Sequence, residues 1–207
     1  MSILKPLIYI VDDDVSVCRA LSLLLKAHGL RVETFACAKD FLAFKHPKTL
    51  SCLVSDLRMP QMNGLLLQET MAAQGLTIPI IFISGHGDIP KSVKAMKRGA
   101  IDFLPKPFTH KDLLTAIERA IAKDKIQNKE RVEIEKIWKR VKTLSPRELE
   151  VFRLVASGML SKQIAFKRGT ILQTIKVHRS HVMQKMQAKT VTELIDFAKK
   201  VGLVSSK

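Results

Sequence analysis

Five polar side chains stand at or just after the ends of four apolar runs, where they could carry a phosphoryl group on a carboxylate. Asp12 and Asp13 follow residues 7–11, and Asp56 follows residues 52–55. Ser84 and Lys106 come after the last two. Crowded carboxylates repel one another, so we expect a hard cation between them, and Mg²⁺ is the natural choice. Asp56 would attack phosphorus, while Mg²⁺ and Lys106 neutralise the phosphoryl oxygens and Ser84 bonds one of them.

The apolar runs are short enough for strands and alternate with segments of helical period, such as the face shared by Val17, Leu21 and Leu24. The candidate strands are 7–11, 31–35, 52–55, 80–83 and 101–104. Repeated strand–helix units indicate a parallel sheet with helices on both faces. In the flavodoxin-like strand order the first and third strands are neighbours around the switch point, so their terminal carboxylates would converge.

The remainder of the chain has no strand pattern. Residues 123–142 lack Pro and Gly and predict a helical connector. Its apolar stripe could pack on either domain or on a partner chain. Residues 143–207 carry four sets of helix signals, including starts at Ser145-Pro146 and Ser161, and stops at Gly158 and Gly169. They predict a small four-helix bundle.

The charge distribution points to a polyanionic partner. Formal net charge is +16, and residues 124–207 hold 19 Lys+Arg against 8 Asp+Glu. Nucleic acid and an anionic membrane both fit such a balance. No apolar stretch approaches the length of a membrane span, and no signal peptide is visible. Three scattered cysteines suit reduced thiols, so we expect a cytoplasmic protein without a membrane partner.

The motifs VDDD, SDLRMPQMNG, ISGHGD and GAIDFLPKPF, in that order, resemble the receiver domain of bacterial response regulators, most closely the FixJ group. The resemblance implies a CheY-like, five-stranded α/β domain over residues 1–122 that uses Mg²⁺ and takes its phosphoryl group from a histidine kinase. It further implies these roles: phosphoacceptor Asp56, metal ligands Asp12 or Asp13, Asp56 and the Arg58 carbonyl, switch residues Ser84 and Phe103, and phosphoryl-binding Lys106, followed by a cis Pro107.

The segments LSPRELEVFRLVASGMLSKQIA, TIKVHRSHVMQKM and TVTELIDFAKKVGL resemble the LuxR/NarL-type helix-turn-helix. The recognition helix would run from about residue 170 or 172 to 187. A wheel at roughly 100° per residue puts Ile175, Val182 and Met186 towards the core. The opposite face and its margins give the candidate DNA-binding residues Gln173, Thr174, Lys176, Val177, Ser180, His181, Gln184 and Lys185.

Four local expectations concern the helical wheel and the turn that precedes the recognition helix. Arg179 points away from the DNA face and should pair with Glu148 or Glu150. Thr170 and Gln173 form a T-x-x-Q capping box, so Thr170 should be the N-cap of the recognition helix. Ile171 or Leu172 should then fill the core position beside it. Arg168 should place its charge in solvent near DNA phosphate.

The favoured interpretation is a phosphorylation-controlled, DNA-binding transcriptional regulator, not an enzyme. Its partners would be double-stranded DNA, a histidine kinase and a second copy after phosphorylation, with RNA polymerase as a further candidate. A phosphohydrolase of the haloacid dehalogenase type is disfavoured, because its nucleophile lies on the first strand whereas Asp56 follows the third. The intact acidic site argues against a regulator that ignores phosphorylation. A receiver whose DNA-binding domain has decayed near Arg168 remains as an alternative.

Overall fold

The computed structural model describes residues 5–85 and 89–204, with the side chains of 89–91 left aside. Part of the GHGD segment therefore lies outside the described residues. The chain divides into two compact units between Asn128 and Lys129. In the described parts of the chain, no helix is long and apolar enough to cross a membrane.

The first unit is built on one parallel sheet of five strands: β1 Leu7–Val11, β2 Arg31–Phe35, β3 Ser51–Asp56, β4 Ile80–Ser84 and β5 Asp102–Pro105. Their order, β2-β1-β3-β4-β5, confirms the predicted flavodoxin-like topology. β1 and β2 have the predicted bounds, whereas β3 gains a residue at each end, β4 gains one at its carboxyl end and β5 begins and ends one residue later.

Helices cover both faces of this sheet because successive strand side chains point to opposite sides. Tyr9 on β1 packs with the core of one face, and Ile8 and Ile10 pack with the core of the other. The first face is covered by α2 Ala38–Ala43, α3 Gly64–Ala73 and α4 Ile89–Lys97, and the second by α1 Val15–Ala27 and the start of α5 His110–Val141. The buried sheet accounts for the nearly continuous apolar character of β1, β3 and β4.

The second unit contains four further helices, as predicted: α6 Pro146–Ala156, α7 Ser161–Lys167, α8 Leu172–Met186 and α9 Val191–Lys200. The last part of α5 also belongs to its core, since Ile137 and Val141 are buried there. Arg140 donates from Nη1 to the carbonyl of Met186 at 3.2 Å. The apolar stripe of the predicted connector thus packs, in part, within its own chain.

The turn between α7 and α8 contradicts the predicted capping box. Gly169 has a φ of 59° and donates to the carbonyl of Phe166, and Thr170 donates to the carbonyl of Ala165. This pattern is a Schellman motif, which closes the preceding helix. Thr170 is therefore used to end α7, and the N-cap of α8 is Ile171, which makes no side-chain capping bond.

Two related expectations have different outcomes. Ile171 is 69% exposed, so it does not fill the predicted core position, whereas Leu172 is partly buried. Ser161 begins α7, as predicted, and the N-cap is Leu160. The Ser161 hydroxyl therefore does not cap α7 and is available to another helix.

Candidate functional site

The carboxyl ends of β1, β3 and β5 bring two carboxylates and one ammonium group together. Lys106 Nζ lies 2.8 Å from Asp56 Oδ1 and 3.3 Å from Asp12 Oδ2. The second Asp56 oxygen, Oδ2, accepts from the backbone N–H of Arg58 at 2.5 Å. Asp12 is buried and also accepts from the backbone N–H of Asp14. The Asp56 carboxylate is thus held on both oxygens at the end of β3.

Burial and charge act against each other at this site. Desolvation raises the pKa of Asp12, and the neighbouring Asp56 carboxylate adds to that effect, whereas the Asp14 amide and Lys106 lower it in part. Burial alone would lower the pKa of Lys106, but its hydrogen bond to Asp56 and the two carboxylate charges together raise it. Lys106 therefore stays protonated and supplies the positive charge that two close carboxylates require.

The remaining predicted residues of the receiver site differ in exposure. Asp13 is exposed; Arg58 is also exposed, and its backbone N–H donates to Asp56. Ser84 ends β4 and is buried, and Phe103 on β5 packs partly buried against the core. Among the described residues, no group of three or more His, Cys, Asp or Glu side chains has the spacing of a metal site. The structure brings together two of the three predicted acidic ligands.

Two backbone features shape the same edge of the sheet. The Lys106-Pro107 peptide is cis, as the resemblance implied. Gly64, the first residue of α3, lies so close to the site that an added Cβ would stand 2.7 Å from the carbonyl oxygen of Asp56 and 2.8 Å from Phe82. Only glycine allows this close approach.

The second unit presents the predicted polar face on α8. Ile175, Val182 and Met186 are buried in the core, which confirms the wheel. Thr174 is half-buried and Val177 is 44% exposed. Exposed side chains on the opposite side include Gln173, Lys176, Ser180, His181, Gln184 and Lys185.

The buried carboxylate of Glu148, which was predicted as a possible partner of Arg179, contacts the last turns of α8 instead. Glu148 Oε2 accepts from Lys185 Nζ at 2.6 Å, and Oε1 lies 3.7 Å from His181 Nδ1. Glu148 also completes a capping box with Ser145 at the start of α6. The hydrogen bond from Lys185 and that from the Ser145 amide lower the pKa of Glu148 to about 2. The S-P-R-E segment has an acidic residue at the spacing of a capping box, and this pattern could have identified the capping role of Glu148 from the sequence.

The expected partner of Arg179 was wrong. Arg179 Nη1 donates to the hydroxyl of Ser161 at 3.2 Å instead of pairing with Glu148 or Glu150. Arg168 is exposed, as expected, but its guanidinium also forms an ion pair with Glu150 at 2.6 Å. Glu148 and Glu150 already form ion pairs with other cations, so Arg179 bonds instead to the residue that begins α7.

Comparison with known proteins agrees with the division of the chain into two units. The family model of the response regulator receiver domain matches residues 8–118, and that of the bacterial regulatory proteins of the luxR family matches residues 142–198. The first therefore spans the sheet and its site. The second spans α6, α7, α8 and most of α9.

Relatives match over nearly the whole chain. Response regulator protein TmoT of Ectopseudomonas mendocina is 45% identical over 92% of this chain and 87% of its own length. Transcriptional regulatory protein FixJ of Bradyrhizobium diazoefficiens is 39% identical over 96% and 97%. The solved structure of response regulator StyR is 43% identical, with a TM-score of 0.77, over 95% of this chain and 99% of that one. The chain belongs to the two-component response regulators that join a receiver domain to a LuxR-type DNA-binding domain, which are transcriptional regulators and not enzymes.

Proposed function

We propose that this regulator is switched by phosphorylation of Asp56 and reads DNA with the exposed face of α8. The observation that carries the first part is the ammonium of Lys106 shared between Asp56 and Asp12, at 2.8 and 3.3 Å. The proposed domains are a receiver at 1–122, a connector at 123–142 and a DNA-binding domain at 143–207.

In the transfer, one carboxylate oxygen of Asp56 forms a bond to phosphorus as the bond from phosphorus to the donor breaks. With a histidine kinase that bond is P–N, and the imidazole leaves with the electron pair; with acetyl phosphate it is P–O, and acetate leaves. Lys106 remains protonated and moves its hydrogen bond from the carboxylate to the phosphoryl oxygens. The hydroxyl of Ser84, at the end of β4, donates to one of them, and Phe103 on the adjacent strand responds.

Receiver domains typically use Mg²⁺ for this step, and the donor set here fits that ion. Asp12 and Asp56 already share one cation, the ammonium of Lys106. Mg²⁺ is usually held by one or two carboxylates together with waters, so a pair is sufficient. Asp12 and Asp56 would hold it, with exposed Asp13 and the carbonyl of Arg58 nearby in sequence, and it would neutralise charge on the phosphoryl oxygens.

For DNA binding, α8 offers short polar side chains beside Val177, a pattern suited to a major groove. Lys176 is exposed and can reach guanine acceptors, and Val177 can contact a thymine methyl group. Gln173, Thr174, Ser180, His181 and Gln184 complete the proposed reading face. Lys185 lies at its margin, where the ion pair with Glu148 restricts its reach towards phosphate.

Phosphorylation would shift the receiver towards a state that forms homodimers, so that two DNA-binding domains read half-sites about one helical turn apart. We place the protein in the cytoplasm, because its DNA partner is found there and its three free thiols suit a reducing compartment. RNA polymerase is the further partner that a transcriptional regulator would engage.

Incubation of the full chain with acetyl phosphate and Mg²⁺ tests the phosphorylation site. Intact mass should show one added phosphoryl group, and Asp56→Asn should show none. Asp40→Asn is the matched control and should still take up one phosphoryl group, because Asp40 is an exposed aspartate on α2 that has no role in the proposed site. Full labelling of Asp56→Asn would refute the assignment. The phosphorylated chain should then shift genomic DNA fragments more strongly than the unphosphorylated chain, with an affinity that falls steeply with salt.

A further inference from the structure

The strand that carries Asp56 is bonded at its first residue to the helix that continues into the second unit. Asp124 on α5 accepts through Oδ2 from the backbone N–H of Ser51 at 2.8 Å. Ser51 begins β3, and Asp56 ends it. The two bonded residues are 73 positions apart in the chain, so the contact joins elements that are distant in sequence.

The carboxylate of Asp124 occupies a place that no strand fills. β3 pairs with β4 only from Leu53 onwards, where the Leu53 amide donates to the carbonyl of Pro79. Alternate residues of a strand direct their amides to the same side, so the Ser51 amide faces the side of β4 but lies beyond its start. Ser51 is 5% exposed, and a buried amide without an acceptor is costly. A carboxylate from α5 therefore completes the strand where its neighbour is missing.

The preceding residue attaches the same turn of α5 to a different part of the first unit. Lys123 Nζ donates to the carbonyl of Gly99 at 3.4 Å. Gly99 is exposed in the turn that joins α4 to β5, and Phe103 follows on β5. β3, by contrast, is paired on both sides, and all six of its residues are buried. Two adjacent residues thus connect one helical turn to a strand held on both sides and to an exposed turn beside the proposed switch strand.

α5 is suited to transmit a movement of this turn. It runs from His110 to Val141 and contains neither Pro nor Gly, the residues at which helices commonly kink. Ile137 and Val141, near its end, are buried in the core of the second unit. A displacement of the turn before β5 pulls on Lys123. If Asp124 is held on β3, the helix must tilt about that point, whereas without a fixed point it can follow the turn locally.

We propose that Asp124 is a positioning residue that fixes α5 on β3, so that movement of the turn before β5 reaches the DNA-binding domain through the helix. The proposal rests on the proposed control of DNA binding by phosphorylation of Asp56, and it adds the two residues that attach α5 to the responding domain. A carboxylate that only satisfies a buried amide would stabilise the fold equally well. It would, however, leave the response to phosphorylation unchanged, and this difference is the basis of the test.

The test measures the Kd of the full chain for one DNA fragment with and without beryllofluoride, which mimics the phosphoryl group. The fragment is selected from genomic DNA by binding to the wild-type chain. The ratio of the two Kd values should be on the order of tenfold or more in the wild type and less than about twofold in Asp124→Ala. Asp124→Asn retains a side-chain acceptor for the Ser51 amide and should keep the ratio within about twofold of wild type. Asp56 should still take up one phosphoryl group from acetyl phosphate in both variants.

Lys123→Ala is the second variant, because it leaves the Ser51 amide bonded and should not disturb folding. It should lower the Kd ratio by about threefold or more, since the link to the turn before β5 is lost. Glu130→Ala is the matched control for Asp124→Ala, and Lys125→Ala is the matched control for Lys123→Ala. Both controls remove an exposed charge of the same sign from α5, and both should leave the ratio unchanged.

Each alternative gives a different result. An unchanged Kd ratio in Asp124→Ala or in Lys123→Ala overturns the proposal and leaves Asp124 as a strand cap; if Asp124→Ala does not fold, Lys123→Ala alone decides. Equal losses in Asp124→Asn and Asp124→Ala overturn it as well, because charge and not the hydrogen bond would then matter. Loss of labelling at Asp56 in either variant also overturns it, because the contact would then act on the phosphorylation site. A wild-type chain that takes up no phosphoryl group, or whose DNA affinity does not respond, refutes the proposed function and the inference with it.

Discussion

Glu148→Gln should destabilise the second unit strongly, because it removes a buried negative charge that serves two helices. Glu148 is 4% exposed and is bonded to Lys185 Nζ at 2.6 Å and to the Ser145 amide at 2.8 Å. Lowering its pKa from 4.5 to about 2 corresponds to roughly 3 kcal/mol at neutral pH. Lys185 is 39% exposed and partly screened by solvent, so we expect a loss of about 2 kcal/mol.

Urea denaturation of the full chain measures this loss, with fluorescence of Trp138 as the reporter. Trp138 is the single tryptophan and lies in the second unit. In thermal unfolding, about 2 kcal/mol corresponds to roughly 10 °C for a unit of this size. The matched control is Glu133→Gln, whose ion pair with Lys200 has the same 2.6 Å separation but leaves the Glu133 side chain 48% exposed. The control should lose less than about 0.5 kcal/mol.

The pH dependence gives a second readout of the same interaction. Because folding lowers the pKa of Glu148, its stabilisation is present above about pH 4.5 and is lost as the pH falls towards 2. The difference between wild type and Glu148→Gln should therefore shrink over that range. Equal losses in Glu148→Gln and Glu133→Gln, or a difference that is independent of pH, would refute the argument that burial strengthens this ion pair.

Three further predictions concern the two glycines and the reading face. Gly64→Ala should destabilise the first unit by about 2 kcal/mol in urea denaturation and slow labelling of Asp56 by acetyl phosphate, since the new methyl group meets the Asp56 carbonyl. Gly169→Ala should cost about 1 kcal/mol because φ is 59°, whereas Thr170→Ala should cost less than about 0.5 kcal/mol because Thr170 is not the cap; equal losses would contradict the turn. Lys176→Ala should relax sequence preference in DNA competition assays, and a uniform loss over all sequences would instead identify a phosphate contact.

The sheet and its site could be predicted because both depend on short-range patterns in a simple topology. An apolar run of strand length gave β1 with its observed bounds. Parallel pairing then forces residues that follow neighbouring strands, such as Asp12 and Asp56, to one edge. The wheel for α8 succeeded for the same reason, since burial of Ile175 and Val182 depends only on helical period.

The failures concern groups with more than one possible partner. The T-x-x-Q pattern at Thr170 competed with a Schellman motif at Gly169, and the left-handed glycine decided the outcome. The wheel gave the direction of Arg179 but could not choose among acceptors. Glu150 is bound to Arg168, and the choice depends on distances between helices that no local pattern contains.

The strand order has a consequence for how the chain acquires its structure. β1 pairs with β2 and also with β3, so its second partner, which begins at Ser51, must be made before both edges of β1 are satisfied. The second unit instead joins short helices by short turns, which gives it contacts between near neighbours in sequence. Domains rich in local contacts fold faster than those that depend on distant strand pairing. We therefore expect the part synthesised last to fold first after dilution from urea, with the Trp138 signal complete before the sheet forms.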